Sequence, residues 1–86
     1  MRIRYHRDFE RGYQKLSEQK QVRVRERIEL FANDAFHPLL NNHALHGKYQ
    51  GYRSININGG LRVIYRELKP DTAHFVEIGT HSDLYS

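Results

Sequence analysis

Two alternating runs separated by a glycine pair constrain this chain most. Tyr52 to Asn58 (YRSININ) and Leu61 to Arg66 (LRVIYR) both alternate, and Gly59-Gly60 stands between them. Alternation sends successive side chains to opposite faces of an extended strand. Two such runs joined by Gly-Gly read as a β-hairpin, with strands over about 52–58 and 61–68. In the second strand Leu61, Val63 and Tyr65 share one side, and Arg62, Ile64 and Arg66 share the other. In the first, Ile55 and Ile57 go with Arg53, while Tyr52, Ser54 and Asn56 face the opposite way. The apolar side needs a covering layer. The side with Arg62, Arg66 and Asn56 suits a face that meets something polar.

The rest of the chain supplies that layer. Residues 1–5 (MRIRY) alternate and predict a short strand at or near a sheet edge. Phe9, Tyr13 and Leu16 recur at helical spacing, although Gly12 inside this stretch costs about 1 kcal/mol against alanine. Ser17 caps a second helix from Glu18 to about Asn33, with Val24, Ile28, Phe31 and Ala35 as its stripe and Val22 near it. Its opposite face holds Arg23 and Arg27. His37-Pro38 confirms the helix break. Residues 37–51 read as a structured loop anchored by Leu39, Leu40 and Leu45. A last strand, His74 to Ile78, follows the Pro70-Asp71 turn and ends at Gly79. The expectation is an α+β fold in the order β-α-α-β-β-β, as one domain over 1–86. A curved antiparallel sheet carries a two-helix hairpin on one face, and its other face is only partly covered.

Composition narrows the function. The formal charge of +4 points to an anionic partner such as nucleic acid, the ribosome or an acidic protein. Nine Lys/Arg and six Asp/Glu alternate through residues 1–34 as solvated helix faces, whereas five of the six histidines lie beyond them. The groups that titrate near neutral pH are therefore concentrated in the second half. With no cysteine there is no disulfide framework or thiolate metal site, which fits a reducing cytosol. No apolar run is long enough to span a membrane, and the N-terminus does not read as a secretory signal. So short a chain buries only roughly 60% of its unfolded surface, so a stabilising partner is expected.

His43 and His46 are spaced as a potential metal pair, but no carboxylate or cysteine completes a site. There is no phosphate loop and no serine or cysteine nucleophile motif. What remains is Arg62, His81, Tyr85, His43, His46 and Lys48. Such a set can act on RNA, where the substrate's own 2′-OH is the nucleophile. The protein then supplies a base, an acid and a cation for the phosphorane oxygens. Arginine suits the cation role because its planar fork holds two oxygens. From the residues alone, a solvated His81, a salt-bridging Arg62 and a Tyr85 that merely packs the C-terminus stay open. His74 reads as structural, and His6 and His37 carry no signal.

Four motifs add to this: H-x-L-x-G (His43 to Gly47), G-Y-R (Gly51 to Arg53), L-R-V-I-Y (Leu61 to Tyr65) and G-T-H-x-x-L-Y (Gly79 to Tyr85). Together they resemble the RelE/ParE superfamily of type II toxin–antitoxin systems, closest to RelE/StbE and YafQ-like toxins. The resemblance implies a cytoplasmic, ribosome-dependent mRNA endonuclease that cuts in the A site by 2′-OH attack, with no metal or cofactor. Its partners would be the ribosome, mRNA and a cognate antitoxin, with the toxin alone monomeric and the complex a hetero-oligomer. By the same resemblance Arg62 stabilises phosphate, His81 is general acid or base, Tyr85 stacks on or orients the substrate, and His43 assists. Lys48, Arg53, His46 and Arg66 would contact RNA.

The chain departs from YafQ-like patterns at Asn56, where a histidine is usual, and at Gly60 and Leu61. At Glu77 it has an acid where an arginine is usual. Glu77 is read either as a compensating acid or base beside His81 or as a partner of Arg62. Two alternatives stand beside the nuclease: a ParE-like gyrase inhibitor without catalysis, and an inactive homologue that only binds antitoxin.

Overall fold

The structure, a computed structural model, describes residues 1–85, and for Tyr85 the backbone alone. In chain order the elements are β1 (Arg2–Tyr5), α1 (Arg7–Gln14), α2 (Glu18–Asn33), β2 (His43–Ala44), β3 (Arg53–Asn58), β4 (Leu61–Leu68), β5 (Thr72–Thr80) and α3 (His81–Tyr85). Short 3₁₀ turns, Pro38–Leu40 and Gly47–Tyr49, flank β2. The strands lie in the order β1-β5-β4-β3-β2.

Local chemistry starts the helices. The Nδ1 of His6 accepts from the Asp8 N–H at 3.0 Å and caps α1. Ser17 caps α2 as expected, accepting from the Lys20 N–H at 3.3 Å. The two helices cannot bury their stripes against each other alone, so both lie on the sheet. Phe9, Val24 and Phe31 meet Ile55, Ile57, Leu61, Val63, Tyr65 and Phe75 there, all buried. The Phe31 ring meets Tyr65 edge-on at 4.9 Å and Phe75 at 5.4 Å. Edge-to-face geometry of this kind adds to the area buried.

Gly12 has a packing reason. A Cβ there would lie 2.7 Å from the Ile78 Cγ2 and 3.1 Å from its carbonyl oxygen. The missing side chain lets α1 settle onto β5. Gly12→Ala is therefore expected to lower stability by about 1–3 kcal/mol through overpacking, despite the better helix propensity of alanine. Urea unfolding checks this, and a stabilised variant would contradict it.

The α+β order stands, with refinements. The sheet is mixed rather than wholly antiparallel, because β1 pairs in parallel with β5, Ile3 opposite Ala73. Residues 43–44, expected in a loop, form the edge strand β2 against β3. The last strand is longer than expected, running from Thr72 to Thr80, and a short helix follows it. Leu39 and Val22 are exposed, whereas Leu40 and Leu45 are buried. Arg27 does not stay on the solvated face of α2; its Nε donates to the Ile57 carbonyl at 3.0 Å. That carbonyl lies where the β3–β4 register shifts between Asn56 and Asn58.

The open face is more covered than alternation implies. Leu45, Ile64 and Leu84 form a second buried cluster there, with Tyr49, Tyr52 and Val76 against it. This small core ties the loop before β3 and the last helix to the sheet.

Candidate functional site

The loop carrying His43 and His46 is strapped over the open face. Asn42 is the buckle: its Nδ2 donates to the Ala35 carbonyl and to the Tyr65 hydroxyl, each at 2.8 Å. Its Oδ1 accepts from the Arg53 Nε at 2.8 Å. β2 then pairs His43 with Ser54. Leu45 buries itself beside Ile64, and its N–H donates to the Tyr52 carbonyl at 2.9 Å. The loop thus presents its histidines from a fixed frame.

His43, Leu45, His46, Arg62 and His81 line one hollow. Arg62 comes from β4, opposite Asn56 on β3 and Gly79 on β5. Its Nη1 is buried and, among the described residues, bonded to nothing; the same holds for the neighbouring Asn56 Oδ1 and Ser54 Oγ. Buried polar atoms without partners are rare and call for an explanation, a missing ligand among them. His43 has a defined tautomer: its Nδ1 lies 2.8 Å from the Asn41 carbonyl, which only accepts. Nδ1 therefore carries the proton, and Nε2 is the basic nitrogen.

His81 opens α3. The Asp83 carboxylate accepts from the Thr80 N–H at 3.1 Å, and the Thr80 Oγ1 accepts from the Asp83 N–H at 3.2 Å. This reciprocal capping box fixes the first turn, on which His81 rides. The backbone hydrogen bond from Thr80, seconded by its side chain, holds the Asp83 carboxyl below the usual carboxylate range. The cap's contribution is therefore present above pH 3.8 and is lost only as pH falls through the lowered value. Leu84 anchors the far side of the turn.

The other residues singled out from sequence fall elsewhere. Glu77 lines a second hollow and accepts from the Tyr49 hydroxyl at 2.6 Å; it forms no ion pair with Arg62. Lys48 sits 5.3 Å over the Tyr49 ring, and Arg66 lies 5.6 Å over Tyr52, both lining that second hollow. Arg53 is half-buried, bonded to Asn42 and 5.3 Å over Phe36. The Tyr85 side chain lies outside the described residues.

This fold has known counterparts. The sequence profile of a family described as "Bacterial toxin of type II toxin-antitoxin system, YafQ" matches residues 1–86. The chain belongs to this family. A crystal structure of YafQ from E. coli strain BL21(DE3) is 20% identical, covers the whole of both chains and superposes with a TM-score of 0.82. The E. coli DinJ–YafQ toxin–antitoxin complex matches at 20% identity over 98% of this chain and 96% of that one, TM-score 0.78. A YoeB/ParE toxin from Agrobacterium tumefaciens matches at 19% over 94% and 99%, TM-score 0.78. At these identities the likeness is one of fold. No curated protein matches the sequence.

Two features of this YafQ-family chain carry sequence signals beyond the motifs, and a third does not. Thr80-x-x-Asp83 is a capping-box spacing. Asn41-Asn42 after a 3₁₀ turn marks a left-handed residue, φ 44° at Asn41, followed by the buckle. Tyr49 as the holder of Glu77 has no local signal, since the two lie 28 residues apart.

His74 of β5 lies among like charges. Burial first, then repulsion from Arg4, His6 and Arg66, hold its imidazole below the ordinary 6.5. With the folded value below the unfolded one, the unfolded chain binds more protons as pH falls. This contribution to stability is intact above pH 6.5 and is lost as pH drops below it. Wild-type melting is expected to fall more steeply than that of His74→Gln between neutral pH and about pH 5, a window set by linkage; parallel curves would contradict this.

Proposed function

We propose that this YafQ-family toxin is a ribosome-dependent mRNA endonuclease that cuts in the A site by metal-free attack of the substrate's own 2′-OH. One observation carries the reading. Arg62, with its unpartnered Nη1 among the described residues, shares a hollow with His43, His46 and His81. Among the described residues no serine, threonine or cysteine lines that hollow, which supports a nucleophile supplied by the substrate.

The residues divide the work as follows. His43 Nε2 takes the proton of the 2′-OH, its Nδ1–H being committed to Asn41. The 2′-oxygen bonds to phosphorus, and the bond from phosphorus to the 5′-oxygen breaks. Protonated His81 gives its proton to that leaving oxygen, so the products are a 2′,3′-cyclic phosphate and a 5′-OH. Arg62 holds the non-bridging oxygens as charge builds on them. His46 and Lys48 contact flanking phosphates, and Tyr85 orients the base. Glu77 moves no proton in this scheme; through Tyr49 it steadies the loop.

The cognate antitoxin is an acidic segment, disordered alone, that masks the basic face in the cytoplasm and adds stability to a short chain. Expression without antitoxin is expected to arrest growth, and Arg62→Met is expected to abolish the arrest at equal protein level. Full arrest by that variant would assign toxicity to non-catalytic binding, as for a gyrase poison.

A further inference from the structure

A second set of cations stands on the same sheet face, away from the hollow of Arg62. The register places Arg4 of β1 opposite His74 of β5, and His74 opposite Arg66 of β4. Directly paired residues on neighbouring strands share a face, about 4.8 Å apart. Three adjacent strands therefore set Arg4, His74 and Arg66 in a row. The His6 ring lies 5.8 Å from that of His74, and Lys48 lines the same hollow.

Such a row is self-repelling, and the fold neutralises it only in part. Two carboxylates line the hollow, and each has another partner: Asp8 lies 3.8 Å from His6, and Glu77 accepts from Tyr49. Among the described residues neither Arg4 nor Arg66 makes an ion pair. Cations in excess of the carboxylates beside them, with Arg4 and Arg66 unpaired among the described residues, mark a place for an external anion. The neighbours narrow its class. Tyr49 and Tyr52 meet at 6.2 Å edge-to-face, and they lie beneath Lys48 and Arg66. Cations interleaved with aromatic faces suit single-stranded nucleic acid, whose backbone follows the charges and whose bases stack. An acidic peptide has no such use for the rings.

We propose that Arg4, His74 and Arg66, with Lys48 and His6, form a second phosphodiester site that holds the RNA backbone away from the bond being cut. The inference rests on the RNA-cutting reading above. Arg62 and Arg66 sit on one face of β4, four residues apart, a span of about 13 Å at strand rise. A short run of extended single strand bridges the two sites. His74 adds a proton link. Burial first, then Arg4, His6 and Arg66, disfavour its charged form in the free protein, and a phosphate among these groups favours it. RNA binding at this site takes up a proton, so affinity rises as the pH falls from neutral.

The test is binding, by calorimetry, of a short oligoribonucleotide 2′-O-methylated throughout, which the protein cannot cut. Arg4 and Arg66 are both exposed, so the Arg4→Ala/Arg66→Ala variant keeps its core. Each lost phosphate contact is expected to flatten the slope of log K against log salt by about 0.7. His74→Gln is expected to remove the rise in affinity at lower pH. Unchanged slope and affinity in the double variant would overturn the inference even if mRNA cleavage is normal. So would an acidic peptide of equal charge that binds more tightly and is lost in the same variant. A protein that cuts no mRNA yet shows the flattened slope would keep this site and sink the nuclease reading alone.

Discussion

Arg62→Met is expected to cut no measurable mRNA and to melt no lower than the wild type. The two effects share one cause. In the folded protein Nη1 of Arg62 is out of solvent and, among the described residues, has no hydrogen-bond partner. A buried donor left unsatisfied costs about 1–3 kcal/mol, so methionine of similar length relieves a penalty rather than breaking a contact. In the proposed reaction a phosphorane oxygen is the partner the guanidinium lacks. Removing a preorganised donor of this kind costs about 10²–10³ in kcat. Arg62→Lys keeps the charge but not the fork, and is expected to recover only a part. A residue whose loss raises stability and removes activity belongs to function. A sharp drop in the melting temperature of Arg62→Met would instead make Arg62 a structural strand residue.

His81→Ala is expected to lower the cleavage rate by about 10²–10⁴ while leaving the fold intact, the range for a positioned acid or base. Its side chain is exposed at the first turn of α3, so truncation removes little packing. The position of that turn depends on its cap. Asp83→Ala takes away one half of the reciprocal pair, the carboxylate that accepts from the Thr80 N–H, and α3 has only five residues with which to resist. In the proposed reaction Asp83 acts through His81, as a positioning residue. Its variant is expected to lose rate with the pH profile of the wild type, whereas His81→Ala loses the limb of the profile that belongs to the acid. Identical profiles for wild type and His81→Ala would remove His81 from the proton transfers.

Much of this was legible because alternation and burial are the same fact in a half-covered sheet. Leu61, Val63, Tyr65, Ile55 and Ile57 face the helices as their spacing requires, and all are buried. Arg62 and Arg66 follow onto the other face by parity. What alternation does not encode is partnership across long separations. MRIRY says strand, but its parallel pairing with β5, about seventy residues on, is decided by tertiary packing. Gly12 looks like a weakness in a helix taken alone; only the approach to Ile78 explains it. Likewise the meeting of His6 and His74 carries no signal in the sequence, since 68 positions separate them and the sheet register alone brings their rings together. Glu77 illustrates the opposite problem. Its closeness in sequence to His81 invites an acid–base role, while the bulge between the Ile64 and Tyr65 pairings re-aims β5 and the carboxylate meets Tyr49.

The central claim is that this hollow cuts RNA on the ribosome. The direct measurement mixes purified wild-type protein or His81→Ala with translating ribosomes on a defined mRNA and maps the new 3′ ends. The account predicts cuts in register with codons, ending in a 2′,3′-cyclic phosphate, present only with ribosomes and lost in the variant. Intact mRNA in the presence of wild-type protein that still arrests growth would contradict it.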